Sequence, residues 1–203
     1  EYAIDIAHEC HKIGLKTVAV TAGYISPKAR QEFYQVMDAA NVDLKAFTTQ
    51  FYKRLCMANL EPVLETLQYL KHETDVWFEI TNLVIPESND NLTEIHNMTK
   101  WIYKHLGPNV PLHFTAFHPD FKMMDLPPTT TESLIKARKI ALDNGLNYVY
   151  TGNVYDQKTA STYCPNCKKC LIERNWYELG NYHIHDNQCI FCKTPIPGHF
   201  PNK

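Results

Sequence analysis

From residue 17 onward, short runs rich in β-branched and aromatic residues alternate with longer stretches whose apolar residues recur at helical spacing. This alternation is typical of β/α units built around a parallel sheet, so the predicted fold class is α/β. The predicted strands are Thr17–Thr21, Asn41–Ala46, Val76–Leu83, Leu112–Phe117 and Tyr148–Thr151. The predicted helices are Glu1–His11, Pro27–Ala40, Asn59–Lys71, Asn89–Leu106 and Thr131–Asn144.

Five strands are too few to close an eight-stranded barrel. The chain is therefore either an open sheet or a partial parallel (β/α) barrel whose other strands precede Glu1. The first helix begins without a start signal, which favours the partial barrel, and we interpret the chain as a fragment. We expect residues 1–157 to form the barrel part and residues 158–203 a small C-terminal module.

Ligands of parallel β/α folds bind where the strands end, at the carboxyl edge of the sheet. Asp43 and Lys45 are two positions apart and share a face, so they either pair with each other or meet a ligand that carries ammonium and carboxylate groups. Glu79 is read equally well as one half of a buried ion pair, and His118 as a hydrogen-bonded loop residue. The polar residues predicted at this edge are Thr21, Asp43, Lys45, Glu79, Asn82 and His118.

Four of the seven cysteines form two Cys-x-x-Cys pairs, Cys164 with Cys167 and Cys189 with Cys192. The 21 positions between the pairs leave room for a hairpin that brings four thiolates around one tetrahedral ion, and Zn²⁺ accepts such a set. A closed four-thiolate site is structural rather than catalytic. Two alternatives remain open: the cysteines are unrelated thiols, or Cys170 extends the first pair into the ligand set of an iron–sulfur cluster.

The 20 basic and 22 acidic side chains leave a formal charge of −2, which gives no global field to attract nucleic acid. No apolar run approaches the roughly 20 residues needed to span a bilayer. We therefore expect a cytoplasmic protein with no membrane partner and no nucleic-acid partner. The Cys-x-x-Cys pairs fit a reducing compartment, where they indicate metal binding rather than disulfides.

Four segments together resemble the radical S-adenosylmethionine (SAM) enzymes of the pyruvate formate-lyase activating type. They are Thr21-Ala-Gly-Tyr-Ile, Val42-Asp-Leu-Lys-Ala-Phe, Glu79-Ile-Thr-Asn-Leu-Val-Ile-Pro and Phe117-His-Pro-Asp-Phe-Lys. With the Cys-Pro-x-Cys…Cys-x-x-Cys tail, they are most similar to the subgroup called the AmmeMemoRadiSam system radical SAM enzyme. The resemblance covers nearly the whole chain.

The resemblance implies a partial barrel that holds a 4Fe–4S cluster and S-adenosylmethionine at its mouth, in an oxidoreductase-type enzyme. Reductive cleavage of this small-molecule cofactor would release a 5′-deoxyadenosyl radical that abstracts hydrogen from a substrate, for example a glycyl position in a protein. By motif matching, Asp43 and Lys45 would hold the polar groups of the cofactor, His118 and Thr21 would lie near its ribose, and the strand from Glu79 past Asn82 would pass its adenine.

The chain departs from the family pattern in two ways. The Cys-x-x-x-Cys-x-x-Cys loop that holds the cluster and the Gly-Gly-Glu strand that follows it are absent from the sequence, and both lie upstream of Glu1 in relatives. We therefore expect the fragment to be inactive. Lys168 and Lys193 also follow the two knuckles where glycine is usual.

Two functions of other classes compete with this interpretation. In the first, the chain is a zinc-stabilised module that binds a protein or single-stranded RNA without catalysis, through Lys168, Lys169, Arg174, Trp176 and Tyr177. In the second, it is a phosphate-binding barrel such as an aldolase, but the sequence lacks a late glycine-rich phosphate loop.

Overall fold

A five-stranded parallel sheet forms the centre of the chain. The computed structural model describes residues 1–200, and its main sheet has the strand order β1-β2-β3-β4-β5 with every neighbouring pair parallel. The strands are β1 (Val18–Thr21), β2 (Ala39–Asp43), β3 (Trp77–Val84), β4 (Leu112–Ala116) and β5 (Val149–Gly152). The predicted α/β fold with five parallel strands is confirmed.

The helices begin at polar caps and connect the strands. Asn91 accepts hydrogen bonds from the backbone N–H groups of Thr93 and Glu94 at the start of the longest helix, and Thr130 accepts one from Ser133 at the start of another. None of the helices in residues 1–200 is both long and apolar enough to cross a bilayer. The helices are α1 (Tyr2–Lys12), α2 (Pro27–Tyr34), α3 (Thr49–Phe51), α4 (Glu61–Glu73), α5 (Leu92–Leu106), α6 (Thr131–Asp143) and α7 (Gln157–Ala160).

The two faces of the sheet differ in chemistry. One face, which we call the helix-covered face, carries buried apolar side chains such as Val42, Ile80 and Leu112, and these pack with Leu67 of α4 and Ile102 of α5. The alternate positions of the same strands carry polar or partly exposed side chains and form the opposite, polar face. Burial of one face by helices therefore leaves the other available for ligands.

The helix predicted at Pro27–Ala40 was wrong in its second half. Helix α2 ends at Tyr34, and Ala39 and Ala40 belong to β2. Alanine favours helix, but the Asp38 carboxylate accepts hydrogen bonds from the backbone and side chain of Thr17 and fixes the chain beside β1. Tertiary contacts thus override local propensity here.

Residues after β5 form a smaller module with its own core. Its strands are β6 (Thr162–Tyr163), β7 (Cys170–Asn175) and β8 (Glu178–Tyr182) in an antiparallel sheet, followed by the pair β9 (Ile184–His185) and β10 (Gln188–Cys189). Leu171, Ile172, Ile184 and Ile196 pack with two cysteines and with Tyr148, which immediately precedes β5. The module core therefore continues into the sheet. The boundary between residues 157 and 158 stays a prediction.

Candidate functional site

Strand register places four polar side chains in one row across the polar face. Asp43 pairs with Thr81, Thr81 with His113, and His113 with Tyr150, each on the next strand of the sheet. Neighbouring strands lie about 4.8 Å apart, so the row spans about 14 Å. Residues of one row on one face can contact the same ligand.

Asp43 and Lys45 form an ion pair at the carboxyl end of β2. The Lys45 Nζ atom lies 3.0 Å from the Asp43 Oδ2 atom, and the two side chains are 41% and 35% exposed. The sequence expectation that these residues share a face is confirmed, and they satisfy each other's charge. Because both are partly solvated, a ligand with a carboxylate and an ammonium group can insert between them at little desolvation cost.

The backbone around Lys45 is held by buried polar side chains. The Asn89 amide donates to the carbonyl oxygens of Lys45 (2.6 Å) and Leu83 (2.8 Å), and the Asn82 amide donates to the carbonyl of Leu44 (2.8 Å). The Tyr52 hydroxyl accepts from the backbone N–H of Lys45, and burial raises the pKa of Tyr52. These bonds fix the direction in which the Asp43–Lys45 pair points.

Two of the predicted edge residues lie on the helix-covered face. Thr21 shares its side of β1 with buried Ala19, and its hydroxyl accepts a hydrogen bond from the backbone of Gly23. Asn82 is 2% exposed and shares its side of β3 with Ile80. Thr21 and Asn82 therefore do not share the face that carries Asp43 and Lys45.

His118 follows β4 by two residues and is exposed at the carboxyl edge of the sheet. Its backbone is held nearby, because the backbone N–H of Phe117 donates to the hydroxyl of Thr129, which in turn donates to the carbonyl of Val84. The imidazole is thus presented at the end of the sheet where the sequence analysis expected it.

Glu79 occupies a different place from the one expected. It is the third residue of β3, in the amino-terminal half of the sheet, so the prediction that it lies at the carboxyl edge was wrong. On the polar face its Oε2 atom lies 2.6 Å from Nε2 of His113, and the Trp77 Nε1–H donates to its Oε1 atom at 3.2 Å. Thr81 and Leu83 follow Glu79 on the same face of β3 and lie nearer the carboxyl edge.

Two opposing effects act on Glu79. Burial raises the pKa of the carboxyl group, but the hydrogen bond and charge of His113 lower it, helped by Trp77 and by the charge of Arg174. The net pKa lies below its ordinary value, so Glu79 is a carboxylate at neutral pH. The ion-pair reading of Glu79 is the one that the geometry favours.

A cavity of about 840 Å³ opens beside this second polar group. It lies at the amino-terminal end of the sheet, against the C-terminal module, and not at the carboxyl edge. Glu79, Trp77, Tyr150 and Arg174 are among its lining residues. The polar face thus carries two polar pairs, which extend from the row of Asp43 and His113 in opposite directions: Lys45 lies towards the carboxyl edge and Glu79 towards the amino-terminal end.

The four predicted cysteines converge on one point. The Sγ atoms of Cys164 and Cys192 are 3.5 Å apart, those of Cys167 and Cys189 are 3.7 Å apart, and all four lie within 4.8 Å of one another. A metal–sulfur distance of about 2.3 Å in a tetrahedron separates ligand sulfurs by about 3.8 Å. The arrangement therefore fits a single tetrahedral metal ion.

Hydrogen bonding favours the metal-binding form of one of these thiols. The side-chain and backbone hydrogen bonds of Thr194 lower the pKa of Cys192 to about 6, which favours the thiolate that metals bind. Cys164 and Cys189 are fully buried in the module core. The site is closed by packing on two sides.

The two lysines after the knuckles adopt the backbone conformation that glycine usually supplies. Lys168 has φ 60° and Lys193 has φ 61°, both in the left-handed region. Their backbone N–H groups donate to the carbonyls of Cys164 and Cys189 at 3.1 and 2.9 Å. The departure from glycine leaves the knuckle turns intact.

Cys170 is outside the group of four converging cysteines. It lies in β7, where burial raises the pKa of its thiol and its carbonyl oxygen meets Nδ1 of His183. The spacing of the other four sulfurs favours a single-ion site over a cluster built on Cys164, Cys167 and Cys170.

His113 and Tyr150 belong to the site but were not singled out from the sequence. Their rings stack at 5.0 Å with an interplanar angle of 25°. The alternation Leu112-His113-Phe114-Thr115 marks His113 as polar-face, a signal available in the sequence. Its partner Glu79 lies on another strand, and that pairing depends on register.

One residue assigned to the binding-module alternative, Arg174, has other contacts in the structure. Arg174 donates to Thr162 at 2.6 Å and lies 5.7 Å from the centroid of Tyr150, so it is engaged between the module and the main sheet. Trp176 and Tyr177 are exposed and in edge-to-face contact, but the basic residue expected beside them is engaged elsewhere.

Comparison with known proteins gives one close relative in sequence. No family model matches the chain. The chain is 39% identical over 198 residues to the uncharacterized protein MJ0808 of Methanocaldococcus jannaschii. The match covers 97% of this chain and 58% of the relative, so the chain spans little more than half of that protein's length.

Solved structures share the fold. A domain of pyruvate-formate lyase-activating enzyme from Bacteroides vulgatus superposes with a TM-score of 0.65 at 18% identity, covering 75% of this chain and 90% of that one. A radical SAM methyltransferase from Sphaerobacter thermophilus gives 0.57 at 12% identity, covering 73% and 45%. TYW1 with a lysine-pyruvate adduct bound gives 0.52 at 21% identity, covering 71% and 46%. The chain therefore has the partial parallel (β/α) barrel fold of these structures, as expected from the sequence.

Proposed function

We propose that the chain is the later part of a radical SAM enzyme, in which the carboxyl end of the polar face binds S-adenosylmethionine. The single observation that carries the proposal is the half-exposed Asp43–Lys45 ion pair at the end of β2, in a fold shared with solved radical SAM structures. The sequence resemblance to the AmmeMemoRadiSam subgroup adds to it.

The donor set at this end fits the amino-acid part of the cofactor. Asp43 would accept from its ammonium group and Lys45 would donate to its carboxylate, while Asn89 and Tyr52 keep their backbone in place. Exposed His118 would contact the ribose. Thr21 and Asn82, which lie on the helix-covered face, would act through the backbone they hold rather than by direct contact.

The bound cofactor and its 4Fe–4S cluster would together supply a 5′-deoxyadenosyl radical for hydrogen abstraction. The described cysteines offer the cluster no second site, because four of them converge on a single-ion site. A longer form of the protein would have to provide the cluster ligands, and the fragment alone would be inactive. A glycyl position in a protein remains one candidate substrate.

The four-cysteine site would hold Zn²⁺ in a structural role. Zinc accepts four thiolates in a closed tetrahedron, and the sulfur spacing supports that geometry. The site has no open position for a substrate.

The test uses the longer protein, including the residues that precede Glu1, reconstituted without air. Iron and sulfide analysis should find one four-iron cluster, and a chemical reductant should release 5′-deoxyadenosine from S-adenosylmethionine. Asp43→Asn and Lys45→Gln should each weaken cofactor binding at least tenfold. Glu132→Gln and Lys136→Gln, which break an exposed ion pair on α6, are the matched controls and should leave binding unchanged. Absence of a cluster in the longer protein would refute the proposal.

A further inference from the structure

Arg174 belongs to the C-terminal module but lies against the polar face of the main sheet. It is on β7, and its backbone N–H donates to the hydroxyl of Ser161 at 3.0 Å. Its guanidinium donates to Thr162 at 2.6 Å and lies over the ring of Tyr150, 5.7 Å from the centroid. The Tyr150 hydroxyl in turn lies 3.1 Å from the Thr162 hydroxyl. Module and sheet therefore meet through polar contacts around one aromatic ring.

These contacts continue to the Glu79–His113 pair. Tyr150 stacks on His113, His113 hydrogen-bonds Glu79, and the charge of Arg174 acts on Glu79 directly. A continuous series of contacts thus leads from β7 to the middle of the sheet. On the other side, β7 begins at Cys170, three residues after metal-site Cys167.

We propose that Arg174 is a positioning residue through which the metal-bound module holds the Glu79–His113 pair in one orientation. The module core contains few buried side chains, and two of them are the metal-site cysteines Cys164 and Cys189. Metal binding therefore orders the strand that carries Arg174. Arg174 then keeps Tyr150 in place by its cation–π contact, and its positive charge acts on Glu79 beside the Glu79–His113 hydrogen bond.

Three of these side chains border a space that small molecules can enter. An effect of metal binding on their orientation would therefore also affect a ligand bound there. Glu79, Tyr150 and Arg174 all line the 840 Å³ cavity between sheet and module. Loss of metal would thus change the polar face as well as the module.

The test is made on this chain loaded with zinc alone, so it does not depend on S-adenosylmethionine binding or on the proposed function. The imidazole ring resonances of His113 are followed by NMR with labelled histidine and assigned with His113→Asn. Arg174→Gln should displace them, and Arg174→Lys, which keeps the charge but not the planar fork, should restore them in part. Arg54→Gln removes the same charge from an exposed position and should leave them unchanged.

Removal of zinc from the wild-type chain is the second arm, and it works even where an Arg174 variant fails to fold. It should displace the His113 resonances in the same direction as Arg174→Gln. His11, whose ring is hydrogen-bonded to Asp38 just before β2, and His72, whose ring is hydrogen-bonded to the carbonyl of His105, report an intact main sheet. Zinc-loaded Arg174→Gln with unchanged His113 resonances would overturn the proposal. So would zinc removal that leaves the His113 resonances in place.

Discussion

The main sheet and the C-terminal module are stabilised in different ways. The main core contains buried side chains from every strand and from helices α2–α6, among them the large residues Leu67, Ile80 and Phe114. The module core has a few aliphatic residues and two buried metal-site cysteines. Small cores of this kind rarely suffice without a metal or disulfide. The comparison teaches that the sheet depends on packing, whereas the module depends on its four thiolates.

Loss of the metal site should have the largest effect. Cys164→Ser and Cys189→Ser each remove one of the four metal ligands. Metal binding by a whole site of this kind contributes on the order of 10 kcal/mol to folding. We expect loss of the bound metal and of amide protection in residues 162–196, with protection retained in β2–β4. Metal analysis and hydrogen exchange measure the two effects. Cys170→Ser, which lies outside the site, is the control, and equal metal loss there would contradict the four-ligand assignment.

A truncation in the main core should destabilise the sheet and leave the metal content unchanged. Ile80→Ala leaves a cavity in the fully buried centre of the sheet and should lower the free energy of unfolding by about 2–5 kcal/mol. Metal content should stay the same, because Ile80 packs in the main core and is not among the module-core residues. Urea unfolding gives the comparison with Val20→Ala, whose side chain is 80% exposed and should change stability little. Metal loss in Ile80→Ala would show that the two cores are not independent.

Replacement of the lysine after either Cys-x-x-Cys pair by glycine should stabilise the module slightly. Lys168 and Lys193 hold left-handed backbone angles that are unfavourable for a side chain with a Cβ atom. Lys168→Gly and Lys193→Gly should each gain about 1 kcal/mol, or about fivefold in metal affinity. Competition with a chelator measures the metal affinity of each variant. Lys169→Gly, which is not at a positive φ, should show no gain.

The smallest effect concerns pH. The pKa of Glu79 is lowered in the folded state, so its carboxylate stabilises the fold above its unfolded pKa of about 4.3, and that contribution is lost as the pH falls through the folded value. The difference in unfolding free energy between wild type and Glu79→Gln should therefore shrink on acidification. Urea unfolding between pH 7 and about pH 3 tests this. A difference that grows on acidification would reverse the sign of the interaction.

The sequence predicted best where a single local pattern decides the outcome. The spacing of four cysteines is enough to predict a metal site, and alternation in β2 is enough to place Asp43 with Lys45. The helix prediction was wrong for Ala39 and Ala40, where pairing with β1 outweighs helix propensity.

Relations between strands were harder to predict. The sequence does not encode in any short window that Thr81 pairs with His113, because register is set by packing across the whole sheet. The Glu79–His113 pair and the role of Arg174 follow from that register and from the position of the module. Thr21 and Asn82 were assigned to the ligand edge because each ends or lies near a strand end, but which face each would take depends on the helices.

The left-handed backbone angles of Lys168 and Lys193 also bear on how four-cysteine metal sites are recognised in sequences. A search pattern that demands glycine after each Cys-x-x-Cys would pass over this chain, although its turns have the required shape. The two turns require a left-handed backbone angle at Lys168 and Lys193, and residues other than glycine can adopt it at modest cost. A pattern that fixes the two cysteines and leaves the residue after the second cysteine unrestricted would match this chain.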